Sequence, residues 1–448
     1  MLRGARISGG LDLEAVTLAC PFVLDGCFCD SPINLREAHA QAIRLTGCQL
    51  LYVAADQLET RGNLVLSRST AAIVGLQGAH LGGNLILDAT TLTGGSWPLD
   101  LGDVSFMLRT YVEDDRQDHM ALVAGGLSID GDMFCRDRFT AHGQVWLVGA
   151  RVGRQLIFDG ASLNNEDGIA LFADRLNVGQ NMFCRKTVVK GAVRLRAANV
   201  SGQLVFNGAR LSNEHGEEAA LDLAEAKVPG SLWLRFDGPP SGAVSLDRAE
   251  VGAVHDDEKT WPSELSLSGF TYGYLESSDS VPVKRRLLWL ERDQKGYAPQ
   301  PYEQLVASYR RAGDEQAARR VAIEKQRRRR GKLAAPAKAW SLFLDASVGY
   351  GYRAWLAGVW LLVLVALGWI AFDRAYPEHF RAAEGDPGTP DFQPLLYTLD
   401  LVLPVVNLDQ RDAWIAEGPA QWGVLLTVAG WVLASVLLAV LTGLLKKE

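Results

Sequence analysis

The sequence predicts a mainly β fold: a right-handed β-helix, or β-solenoid, of pentapeptide-like coils, followed by a helical hairpin and two transmembrane helices. Three observations predict it. Apolar-x-apolar triplets such as Leu11-Asp-Leu13, Ile43-Arg-Leu45, Leu64-Val-Leu66, Leu156-Ile-Phe158 and Leu232-Trp-Leu234 recur through residues 11–275, mostly 10 to 12 residues apart. A Gly-Ala-x-apolar motif falls between triplets, as at Gly78-Ala-His-Leu81 and Gly208-Ala-Arg-Leu211. Two uncharged apolar runs lie toward the C-terminus, 19 residues at 354–372 and 25 at 421–445. Composition agrees with this division. Glycine supplies 45 of 448 residues, above its usual share of roughly 7%. Charged residues still make up 22%, too many for a polytopic membrane protein. The net charge of −7 argues against a general nucleic-acid binder, and six cysteines are too sparse for a disulfide scaffold.

Residues 1–280 carry the repeat. A three-residue strand cannot offset its own ordering entropy, so it must be stacked. Triplet side chains alternate in, out, in, which turns two apolar groups toward one core. Small residues between triplets permit tight corners. Stacked coils pair each strand above and below and build a continuous apolar column, at roughly 21–24 residues per coil. A β-propeller needs longer strands and repeats of about 40–45 residues. A duplication supports the coil length: 155–168 (QLIFDGASLNNEDG) matches 203–216 (QLVFNGARLSNEHG) at an offset of 48, and Met133-Phe-Cys-Arg136 matches Met182-Phe-Cys-Arg185 at 49. The charged stretch at about 100–120 breaks the pattern and is expected to be an insertion loop on one face. The repeat is already under way at Leu2-Arg-Gly-Ala-Arg-Ile7. An uncapped end exposes strand edges, so either two copies abut there or the chain is a piece of a longer protein; both readings stay open.

Residues 281–335 change to helical spacing. A short helix is expected over 283–293, then a hairpin of Tyr302–Ala312 and Glu315–Arg330 with Gly313 as C′ residue and Asp314 as N-cap. The hairpin resembles one tetratricopeptide-type unit (Tyr302, Leu305, Tyr309, Gly313, Ala317, Ala318). One such repeat cannot bury its face alone, so it is expected to pack on the solenoid's C-terminal end and close the open strand edge. Residues 284–332 hold 15 basic and 6 acidic side chains. Arg327, Arg328, Arg329, Arg330 and Lys332 are the candidate contacts to anionic lipid headgroups, each worth about 1 kcal/mol near the surface. Nucleic-acid binding is the disfavoured alternative. Residues 336–353 are expected to lie along the interface as an aromatic approach segment.

Both apolar runs are long enough for a hydrocarbon core of about 30 Å. No apolar run opens the chain, so no cleavable signal peptide is expected. Lys and Arg flank the outer ends of the two runs, whereas 373–420 holds three Arg against nine acids. The bias places both termini in the cytoplasm and 373–420 outside. Within that loop, 395–406 (LLYTLDLVLPVV) is too short to span. It reads either as an amphipathic segment packed on the bilayer or as the re-entrant piece of a two-span pore. In the pore reading Tyr397, Asp400 and Pro404 are the candidate residues, and Asp400 favours cations.

No enzymatic chemistry stands out. Gly349-Tyr-Gly351-Tyr-Arg-Ala354 is a loose GxGxxA, but it follows no strand and opens an apolar run, which fails the test for a dinucleotide turn. P-loop, HExxH and GxSxG motifs are lacking, so no catalytic residue, metal ligand or cofactor is expected. Cys20, Cys27, Cys29 and Cys48 suggest a metal cluster at first. However, Cys27 and Cys48 are 21 apart, about one coil, and are expected to stack in one buried ladder, while Cys135 and Cys184 hold equivalent positions in the duplication.

The solenoid, the hairpin 302–330, Gly349-Tyr-Gly-Tyr352 and Tyr397-Thr-Leu-Asp-Leu-Val-Leu-Pro404 between two apolar runs together resemble a family of bacterial, largely actinobacterial, membrane-associated β-helix proteins. The last motif is also similar to that of pentapeptide-repeat proteins with a channel-like C-terminus. The resemblance covers nearly the whole chain and implies the label "membrane-associated oxidoreductase", though no catalytic residues carry over. The leading expectation is a non-enzymatic, membrane-anchored binding scaffold or sensor, with an unidentified protein partner on the solenoid face, a homo-oligomeric pore as its extension, and no cofactor. A membrane-bound oxidoreductase and an acidic DNA-mimic solenoid are the alternatives.

Overall fold

The computed structural model describes residues 1–95, 119–214, 216–279, 281–353, 355–383, 391–403 and 407–442. The chain divides into two compact units, Met1–Asp314 and Glu315–Glu448. The first is a parallel β-solenoid of about 11 turns closed by two helices.

Two apolar columns run the length of the solenoid. One stacks Phe22, Ile43, Leu64, Leu85, Met133, Leu156, Met182, Leu204, Leu232, Val254 and Leu275 in parallel register. The other runs from Leu11 and Ile33 through Val53, Val74, Leu122 and Val145 to Leu265. The alternation expected of the triplets holds: Leu64 and Leu66 are fully buried, while Val65 between them is half-buried on the outside. Strands of two to four residues persist because each backbone group pairs with the coil above and below.

Glycine does two jobs, at corners and at close approaches between coils. Many corners take left-handed backbone at Glu37, Gln57, Arg68, Arg175 and Lys186 as readily as at Gly47 or Gly149. The demanding positions stack in two runs, Gly153 with Gly179, and Gly202 with Gly230, Gly252 and Gly273. A Cβ on Gly179 would lie 2.1 Å from the Gly153 carbonyl oxygen, and one on Gly230 would lie 2.3 Å from that of Gly202. Coils approach so closely there that only hydrogen fits.

The insertion expected at 100–120 lies almost wholly outside the described residues. At its base Gly95 and Met120 exchange backbone hydrogen bonds of 3.0 Å in both directions. Val74 pairs directly with Leu122, so the column continues across the excursion. The duplicated motif builds a pinned loop twice: Asn165 Nδ2 donates to the Ile169 carbonyl at 3.0 Å, and its counterpart Asn213 donates to that of Glu218 at 2.6 Å.

Cys27 and Cys48 stack as expected, and their series continues at the same 21-residue step with Ser69 and Thr90. Each side chain donates to a carbonyl of the preceding coil: Cys27 to Leu2 at 3.6 Å, Cys48 to Leu24 at 3.5 Å, Ser69 to Leu45 at 2.5 Å and Thr90 to Leu66 at 2.8 Å. Cys135 and Cys184 are buried in a neighbouring column on either side of Phe158. Burial pushes both thiols well above their usual range, which leaves them unreactive.

Helix α1 (Val283–Leu290) and helix α2 (Pro299–Arg311) close the C-terminal end. The last strand, Thr271–Ser277, has no coil beyond it. Gln300 Nε2 donates to the Phe270 carbonyl at 2.8 Å, and Gln304 Nε2 and Arg311 donate to that of Tyr272 at 2.5 and 3.0 Å. The edge is thus capped by amide side chains of α2, the closure expected of the hairpin's first helix. Gly313 adopts the left-handed backbone of a C′ residue, φ +79°.

The second unit contains α3 (Glu315–Arg330), α4 (Ala335–Val348), α5 (Trp355–Ala375), α6 (Pro394–Val402), the short α7 (Gln410–Ala413) and α8 (Gly423–Leu441). Two helical segments, Trp355–Ala375 and Ala420–Ala439, are long and apolar enough to cross a membrane. Strands Phe380–Ala382 and Trp414–Ala416 pair antiparallel beside α6. Helix α6 packs against both α5 and α8. Small residues make this seat: a Cβ on Gly368 would meet Thr398 Cγ2 at 2.4 Å, and one on Gly430 would meet the Val402 carbonyl at 2.3 Å. Phe372, Tyr397, Leu401, Val402 and Leu426 form one buried cluster of this unit, and Val348, Ala357 and Val436 form another.

Candidate functional site

The basic run of α3 separates into inward and outward side chains. Arg330 and Arg327 both reach Asp345 on α4, at 2.5 and 3.0 Å, and Arg330 also donates to the Tyr350 hydroxyl at 2.8 Å. Burial alone raises the Asp345 pKa, but the two guanidiniums outweigh it and hold the carboxyl below its usual range. Arg328 pairs with Glu324 one turn back at 3.1 Å. Of the five candidate headgroup contacts, Arg327 and Arg330 therefore fasten α3 to α4, and Arg329 and Lys332 stay exposed. The sequence run of like charges hides this division, because Asp345 lies 15 residues beyond Arg330 and meets it only when α4 folds back.

In the 395–406 segment, Tyr397 belongs to the aromatic cluster of Phe372, Phe380 and Phe392, with ring centroids 5.1 to 5.5 Å away. Asp400 is 2% exposed. Its Oδ2 accepts from the Arg411 amide at 2.8 Å and its Oδ1 from the Leu408 amide at 3.2 Å. Within one chain it anchors the loop after α6 and the first turn of α7. Pro404 lies outside the described residues.

Two clusters at the solenoid's end carry no sequence motif. The first is a buried ion pair. Asp256 and Arg286 are joined at 2.5 and 3.1 Å, and Asp256 also accepts from Trp261 Nε1 at 2.9 Å and Ser277 Oγ at 2.6 Å. The Arg286 guanidinium sits over the rings of Trp261 and Trp289, 4.8 and 5.3 Å from their centroids. Every acceptor position of this carboxylate is used, and the pair bolts α1 to the last coils. Beside it, a cleft of about 540 Å³ opens between Tyr274–Asp279 and the α2 side chains Leu305, Ser308 and Tyr309.

The second cluster centres on His255, stacked on Trp233 with centroids 3.8 Å apart. Its Nε2 lies 3.3 Å from Ser231 Oγ and its Nδ1 3.2 Å from Glu276. Burial pushes the His255 pKa down, partly opposed by Glu276 and reinforced by Arg235. The order of groups follows that of a nucleophile, base and acid. However, Glu276 is largely exposed, and the cleft it borders is lined by neither Ser231 nor His255. The arrangement is an outward ladder of successive coils.

Among the described residues, no group of three or more His, Cys, Asp or Glu side chains is placed to hold a metal. Outward aromatic side chains recur with an arginine two residues on: Arg136 lies over Phe134, Arg185 over Phe183 and Arg235 over Trp233, at 4.4 to 4.9 Å. Arg136 and Arg185 are further held by Asp88 and Asp159 of the preceding coil. The duplicated Met-Phe-Cys-Arg signal marks two of these stacks. No family model matches the chain, and no curated protein or solved structure does.

Proposed function

We propose that this chain is a membrane-anchored, non-enzymatic β-solenoid scaffold whose coils lie on the cytoplasmic side of a bacterial plasma membrane. The observation that carries this reading is the exposure of the two long apolar helices. Trp355 and Leu362 of α5 are 67% and 71% exposed, and Val424 and Leu425 of α8 are 67% and 70% exposed. Side chains of this size, continuous over two helices, match a lipid environment rather than water. The solenoid attached to them holds outward side chains in fixed columns one strand spacing apart, a surface suited to binding an extended partner.

The pore extension draws less support. Helix α6 packs against α5 and α8, and both carboxylate oxygens of Asp400 accept from backbone amides of its own chain. Purified full-length protein in detergent tests both readings. A scaffold is expected to be colourless, to bind no flavin or nicotinamide, and to give no conductance in planar bilayers. Cation-selective conductance from a closed ring would replace it with the pore, and a stoichiometric flavin or nicotinamide would replace it with the oxidoreductase.

A further inference from the structure

The turn between α4 and α5, Gly349-Tyr-Gly-Tyr352, fails as a dinucleotide motif but has a definite geometry. Gly349, Tyr350 and Gly351 take consecutive left-handed φ values of +55°, +54° and +81°. Tyr350 points inward, where its hydroxyl meets Ser341 Oγ at 2.7 Å and accepts from Arg330 at 2.8 Å. Tyr352 and Arg353 turn instead toward the first turns of α3. A Cβ on Gly349 would press on the Arg353 side chain at 3.1 Å, so glycine leaves room for its stem.

Gln316, Arg319, Arg320, Ile323, Tyr352 and Arg353 enclose a cleft of about 160 Å³. Three arginines line it and no carboxylate does. Most other arginines of this unit's α3 are neutralised: Arg327 and Arg330 by Asp345, Arg328 by Glu324. Arg319 pairs with Glu315 at 3.3 Å. Arg320 and Arg353 have no acidic partner among the described residues. Two uncompensated guanidiniums beside the N-terminal end of a helix favour an anion with several acceptor oxygens. Arg353 stands two residues before Trp355, the first residue of α5, which is headgroup depth for a helix that spans.

We propose that this cleft is a phosphate-binding site, filled by the phosphodiester of an anionic phospholipid headgroup. Arg320 and Arg353 grip the phosphate oxygens, and Gln316 and Tyr352 complete the polar lining. The lipid as the source of the phosphate rests on the membrane reading above; the phosphate site itself does not.

Full-length protein in detergent is titrated with short-chain phosphatidylglycerol, short-chain phosphatidylcholine and inorganic phosphate. The same titrations are run on Arg320→Gln, Arg353→Gln, the double variant, and Arg374→Gln, an equal charge loss at the opposite end of α5. Saturable phosphatidylglycerol binding is expected, weakened about tenfold by either single variant and less than about twofold by Arg374→Gln. Phosphatidylcholine is expected to bind at least about tenfold more weakly, because its ammonium offsets the phosphate charge. Inorganic phosphate that competes but binds more weakly than the lipid assigns the headgroup as ligand. Inorganic phosphate binding as tightly as the lipid, and lost in the double variant, keeps the site and moves its ligand to a soluble phosphate. Unchanged lipid binding in the double variant, or an equal loss in Arg374→Gln, overturns the site. Arg320 and Arg353 are exposed, so the single variants should unfold at the wild-type temperature, which serves as the folding control. The titration needs no membrane insertion, so a failed anchor and a failed phosphate site give different results.

Discussion

Asp256 shows how much one side chain can hold in place at the solenoid's end. It is 2% exposed and satisfied by Arg286, Trp261 and Ser277. Removing one member of such a pair leaves the other buried and unpaired, which costs about 3–5 kcal/mol. Asp256→Ala should therefore lower the unfolding midpoint strongly, read from the fluorescence of Trp261 and Trp289. The double replacement Asp256→Leu/Arg286→Met should recover most of that loss, because it leaves no orphaned charge. His255 predicts a pH response. Its pKa is lowered in the fold, chiefly by burial, so the unfolded chain binds a proton that the folded chain refuses. Stability should be complete above the unfolded histidine value of about 6.5 and should fall as pH drops from there toward the folded value. His255→Gln should flatten that part of the stability profile measured by thermal unfolding; an unchanged slope would assign it to another group. Neither residue carries a sequence signature. Apart from Trp261, five residues on from Asp256, their partners lie 21 to 30 positions away and are brought together by coil register and by the docking of α1.

At the scale of elements, the glycines separate backbone conformation from close approach. Gly126 has φ +66° and open space where a Cβ would go. Gly126→Ala should cost only the left-handed penalty of about 1–2 kcal/mol. Gly179 has no such φ, but its Cβ would stand 2.1 Å from a backbone oxygen. Gly179→Ala must push two coils apart against backbone rather than a flexible side chain, which puts it at the upper end of the overpacking range, about 3 kcal/mol. Urea unfolding of the two variants should rank them in that order, and equal losses would refute the close-approach account. The sequence reading assigned glycine to corners, and the close approaches were not legible, since a sequence read along the chain does not show the coil beneath. The closing helix was more legible. The change to helical spacing after about 280 and the open strand edge together predicted a cap. That Gln300 and Gln304 supply it was not legible, because glutamine on a helix looks like ordinary exposed polarity. Helix α6 likewise read as a lone apolar piece, and only its seat on Gly368 and Gly430 shows why it stays between two longer helices.

The whole molecule joins a repeat that carries its own cap to a unit that carries two apolar helices. Cysteine accessibility tests the proposed orientation directly. Cys20 is exposed and the other five cysteines are buried and free. A membrane-impermeant maleimide applied to intact spheroplasts should leave the protein unlabelled, and the same reagent after lysis should add one label, at Cys20. Labelling of intact spheroplasts would place the solenoid outside.

By itself the sequence determined the coil period, the continuous apolar column, the helical closure and the two apolar helices. Each of these is written locally, as a repeated spacing or an unbroken run, and burial follows from it. Tertiary structure decided the fate of individual charges. Arg327 and Arg330 became fasteners when α4 brought Asp345 to them, whereas Arg320 and Arg353 were left to share a cleft. Asp400, which looks in the sequence like a charge placed for ions, was taken up by the amides of Leu408 and Arg411. A charge's role depends on which opposite charge or dipole comes within a few ångströms, and that distance is set by folding.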